Sequence, residues 1–201
     1  MNTFDADAFR RVLSDATLQR NLRGQLRALL ELVDVRSRKV LACDYAEHVI
    51  WICEEVSRGD PRFRQMITVI RRFLDKKATI EEVATAREDF LEAEWQFREM
   101  MEWDAAVLRA ASNSIYLVGR VCCQRELEAL GVVIHIKYQP DTMSVAEAAS
   151  LAIAKHAAGQ DWASKDKTLR TAARRRGYEP SNVETRWQIR HLLDYLGMEI
   201  T

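Results

Sequence analysis

Few side chains in this sequence stand at spacings that chemistry uses. Cys43, His48 and Cys53 are close enough along the chain to suggest a metal site. Residues five apart on a helix project about 140° away from each other, so these three cannot converge on one ion. No C-x-x-C occurs, and the adjacent Cys122 and Cys123 point different ways. The sequence also lacks a G-x-S-x-G, a P-loop and a G-x-G-x-x-G. A Cys–His nucleophile would need tertiary contacts that spacing does not reveal. The paired carboxylates Glu54–Glu55 and Glu81–Glu82 are neighbours on helices and do not face each other. The expectation is therefore no enzyme, no metal and no cofactor.

Binding chemistry is better represented. Trp51 falls within a polar stripe, nearly in line with Asp44 and Glu55, and Trp95 and Trp103 lie off the apolar seam of their helix. A large aromatic on a polar face is covered by another segment, the commoner fate, or offered to a partner. Trp51, Trp95, Trp103, Arg71 and Arg72 are the candidate partner-binding residues, because aromatic and Arg side chains dominate interface hot spots. The segment 165–190 holds eight basic residues against three acidic ones, a local excess of five. Arg174, Arg175 and Arg176 are its candidates for nucleic-acid contact. Two helices around GYEPSN would imitate a helix-turn-helix, with a connection longer than the usual turn.

These residues must be positioned by helices. Leu41, Tyr45, Val49, Ile52 and Val56 recur at spacings of four, four, three and four, which predicts a helix over 40–58. Gly59, Asp60 and Pro61 read as a stop, a cap and a first turn. A second helix follows over 61–76, burying Phe63, Met66, Ile67, Ile70 and Leu74 and leaving Arg71 and Arg72 wet. This hairpin is the expected centre of the fold. Upstream, Leu18, Leu22, Leu26, Leu29 and Val33 mark a helix whose other face carries Arg20, Arg23 and Arg27, read as solvated. Capping boxes at Thr79–Glu82, Ser144–Glu147 and Ser181–Glu184 open helices over 79–103, 144–156 and 181–196. A small-residue helix spans 104–130, and a basic one spans 165–176, with Gly177 as its stop. The stretch 132–138, VVIHIKY, alternates like a strand and reads as an extended connection, or as a pairing edge in a homodimer.

The expected fold is all-α, a single-domain multi-helix bundle of seven to eight helices. Residues 1–38 form an N-terminal helical extension and 39–201 the core. Hydrophobic residues make up 48% of the 201, enough for one sizeable core. Lys plus Arg and Asp plus Glu each number 30, which argues against a generic nucleic-acid or membrane-surface binder. No apolar run approaches the roughly 20 residues of a membrane span, and the N-terminus lacks a signal-peptide core. A cytoplasmic protein with four reduced thiols is expected.

The run LACDYAEHVIWICEE, the turn Gly59-Asp60-Pro61-Arg62, the Ala-rich helix 104–122 and the closing ETRWQIRHLLDYL together resemble a family. It comprises immunity proteins of bacterial polymorphic toxin systems. Tyr45 stands where members carry Cys. The resemblance covers roughly 40–125 and 182–196. It implies a non-enzymatic inhibitor that neutralises a toxin or effector by protein–protein contact. Two alternatives stand beside it: a mobile-element inhibitor of a bacterial defence complex, of the anti-CRISPR kind, and nucleic-acid binding through the basic C-terminal segment.

Overall fold

The computed structural model describes residues 6–15, 20–97, 102–132 and 140–198. Nine α-helices run through them. They are α1 (Ala6–Ser14), α2 (Leu22–Glu31), α3 (Val35–His48), α4 (Ile50–Val56), α5 (Arg62–Leu74), α6 (Ile80–Gln96), α7 (Glu102–Ala129), α8 (Thr142–Ala158) and α9 (Lys167–Tyr195). A 3₁₀ turn, Gln160–Ala163, precedes α9, and no strand occurs among the described residues. Helices α3 and α4 form one rod interrupted at Val49, whose N–H bonds the Ala46 carbonyl at 3.3 Å. The described helices thus make eight rods, in line with the all-α bundle of seven to eight helices expected. The Trp103 side chain and residues 133–138, which hold all but the first residue of the β-like stretch, lie outside the described residues.

Local signals explain most boundaries. The Thr79–Glu82 capping box forms, with both reciprocal hydrogen bonds present. The helix expected from residue 40 begins at Val35, because Asp34 accepts the Arg36 and Ser37 N–H groups. The box expected at Ser144–Glu147 sits one turn earlier: Asp141 is the cap and Ser144 its third-position partner.

The hairpin is not the centre. Helix α8 occupies the middle, packed along α7 and α9 and also against α3. Val145, Ala146, Ala149 and Ala152 are buried on it, and alanine lets neighbouring backbones come close. Apolar residues of α1, α2 and the turn after it, including Phe9, Leu26, Leu29 and Val33, join one cluster with Leu41, Tyr45, Ile52, Phe63 and Phe90.

The largest correction concerns the C-terminal third. Helix α9 runs unbroken for 29 residues through Gly177, Pro180 and Ser181. Gly177 is not a stop but a crossing point. A Cβ there would lie 2.5 Å from the Ala154 carbonyl oxygen, so only glycine lets α8 and α9 approach this closely. Ser181 and Glu184 are buried within the helix instead of capping one. Pro180 removes one backbone donor without ending the helix. With no turn at GYEPSN, the helix-turn-helix reading falls.

Candidate functional site

The polar stripe of α3 and α4 is where other helices add their polar side chains. Asp44, His48, Trp51 and Glu55 follow one another at spacings of four, three and four, so they share a face. Helices α9 and α8 meet that face through long side chains. His191 on α9 bonds Asp44 Oδ2 through Nε2 at 2.8 Å. Nδ1 of His48 bonds Glu184 Oε2 at 3.0 Å. From α8, His156 bonds Glu55 Oε2 through Nε2 at 3.2 Å and meets Trp51 edge-on, ring centroids 4.8 Å apart.

Trp187 lies between two of these imidazoles. Its ring stacks on His48 at 3.4 Å with 6° between planes, and on His191 at 4.9 Å with 11°. Tyr45 closes the inner edge, and its hydroxyl donates to the Gln188 carbonyl oxygen at 3.2 Å. Burial pushes the Tyr45 phenol up, helped by the charges of Asp44 and Glu184, so it stays a neutral donor.

Glu184 is 3% exposed, and its carboxylate is held at both oxygens. Gln188 Nε2 donates to Oε1 at 3.1 Å, and His48 holds Oε2. Arg71 was expected to stay wet. It is half-buried and bridges Asp44 Oδ1 and Glu47 Oε2 at 2.5 and 2.6 Å. Burial opposes the Arg71 charge, but the hydrogen bond and charge of Asp44 outweigh it and raise its pKa. Arg64 extends the chain of charges to Glu54 at 2.7 Å.

Two imidazoles on carboxylates resemble the base half of a nucleophilic site. The nucleophile half is missing: no hydroxyl or thiol hydrogen-bonds the His48 or His191 ring among the described residues. Cys53 is buried with its thiol pushed up by burial, and Tyr45 is bound to backbone. No group of three metal-ligating side chains occurs among the described residues. The arrangement suits holding an aromatic surface in fixed geometry.

The sequence candidates scatter. Trp51 is 42% exposed and meets His156 edge-on. Arg71 lies in the same site. Arg72 is elsewhere and engaged, donating to the Lys77 carbonyl and Glu82. Trp95 is exposed on α6, away from the site. Of the basic trio, Arg176 is occupied by Asp161 and the Ala158 carbonyl, whereas Arg174 and Arg175 face outward. Sequence reasoning missed His48, His156, Glu184, Trp187 and His191 as a group. The available signal was that a polar stripe with a tryptophan in it needs polar cover.

No described helix is long and apolar enough to cross a membrane. No family model, curated protein or solved structure matches the chain.

Proposed function

We propose that the chain is a non-enzymatic inhibitor that neutralises a toxin or effector protein by direct contact, with Trp51 as its anchor. The supporting observation is the state of Trp51. It is exposed on α4, its ring meets His156 edge-on, and Glu55 stands beside it at the rim. An aromatic already held in place loses little freedom on binding, which is how a few residues come to dominate an interface. The Glu55 carboxylate, its side chain 57% exposed, favours a basic group on the partner beside Trp51.

The resemblance noted in the sequence adds weight. Its two separate stretches meet at this site: Asp44 and His48 come from one, Glu184, Trp187 and Gln188 from the other. A residue set that is distant in sequence and joined at one surface fits a shared binding role.

The test is capture from the native host with tagged protein, followed by mass spectrometry. One stoichiometric effector protein, lost with Trp51→Ala, is the expected result. Capture of no protein, or of the same protein by both forms, contradicts it.

A further inference from the structure

The flank of α9 turned away from Trp187 carries a second concave feature. Tyr178, Asn182 and Arg186 follow at steps of four, within about 80° of one another on the helix, and Trp187 lies about 180° from Tyr178. Helix α2 packs against α9, and Arg23 on it and Arg20 just before it lie across from them. Together they line a groove of about 510 Å³.

Its chemistry is one-sided. Three guanidinium groups line it and no carboxylate does among the described residues; Glu179, one turn along α9, accepts from Arg186 Nη1 at 2.7 Å. Arg20 and Arg23 are exposed, and neither has an ion-pair or hydrogen-bond partner among the described residues. The groove is thus locally positive on a chain of zero net charge. Tyr178 stands among these cations, 69% exposed, with Leu22 lining the same groove. Asn182 offers an amide beside it. One turn before Tyr178, Arg174 continues the positive edge, also without a partner among the described residues.

We propose that this groove binds single-stranded nucleic acid. Arg20, Arg23 and Arg186 take backbone phosphates, Tyr178 stacks on a base, and Arg174 meets the next phosphate along. The combination decides the ligand class. Guanidinium groups alone would serve any anion, but an exposed aromatic among them adds the stacking face that a base uses and an acidic peptide does not. The site is separate from Trp51, so the two bindings stand or fall independently.

The test titrates a fluorescein-labelled twelve-residue oligothymidylate into the full chain and follows polarisation. Binding should weaken with salt, with a log–log slope of about −3 for four phosphates at roughly 0.7 each. Tyr178→Ala should weaken it about fivefold or more. Arg23→Ala with Arg186→Ala should weaken it further and flatten the slope. Trp51→Ala should leave it unchanged. All four side chains are exposed, and circular dichroism melts check that the variants fold. Three results would overturn the proposal. They are no binding at low salt, binding indifferent to Tyr178→Ala, and polyglutamate or thymidine monophosphate binding as tightly as the strand.

Discussion

The His48 imidazole and the Trp187 indole lie face to face, ring centroids 3.4 Å apart and planes 6° from parallel. One belongs to α3 and the other to α9, and the pair ties the C-terminal helix to the polar side of the N-terminal half. Trp187 is half-buried, so Trp187→Ala should lower stability by about 2 kcal/mol, below the range for a fully buried tryptophan. A double-mutant cycle with His48→Ala should return a coupling of about 1 kcal/mol in urea unfolding. Strict additivity would show that the two rings merely adjoin.

At the α8–α9 crossing, Gly177→Ala should destabilise the protein by about 1–3 kcal/mol, since the new methyl meets the Ala154 backbone. Helix propensity alone predicts the opposite, a gain of about 1 kcal/mol for alanine in a helix interior. Thermal melts of the single variant separate the two.

Much of the fold was legible in the chain. Leu26, Leu29, Leu41, Tyr45, Val49 and Ile52, placed on apolar faces by their spacing, are all buried. The Thr79–Glu82 box forms where it reads. Such signals are local: a helix's apolar arc and its cap are set by residues within a few positions. What failed was tertiary. Gly177 reads as a stop to anyone who does not know that Ala154 lies against it. Asp44 and His48 read only as members of a polar face, because their partners, His191 and Glu184, sit on a helix far along the sequence. The groove of Arg20, Arg23 and Tyr178 was hidden likewise, its walls coming from opposite ends of the chain.

The four cysteines should be inert in the folded protein. All are buried; burial pushes the Cys53 thiol up, and pushes the Cys123 thiol up to about 12. The Cys122 thiol is also raised, by its hydrogen bond with Cys43 and by burial. Since the thiolate is the reactive form, Ellman's reagent at pH 8 should label none in the native state and four in guanidinium. Fast labelling of the native protein would contradict this burial.

Asp60 gives a defined acid sensitivity. Hydrogen bonds from Arg62 hold its carboxyl below the ordinary value against a smaller effect of burial. A carboxylate lowered on folding stabilises the fold above its unfolded pKa of about 3.9, and that contribution is lost as pH falls through the folded value. Asp60→Asn should therefore cost about 1 kcal/mol at pH 7, and the difference from wild type should close as pH falls through the folded value. Denaturant midpoints measured across that range check it; a constant difference at every pH would contradict it.

On the proposed function, Trp51 is an anchor for a protein partner and not a member of the core. Calorimetric titration of the captured partner into wild type and Trp51→Ala tests it most directly, alongside their melting temperatures. The expected outcome is at least about tenfold weaker binding, the loss typical of a hot-spot truncation, with a melting temperature within about 3 °C. Unchanged affinity, or lost affinity accompanied by a collapse in melting temperature, would contradict it.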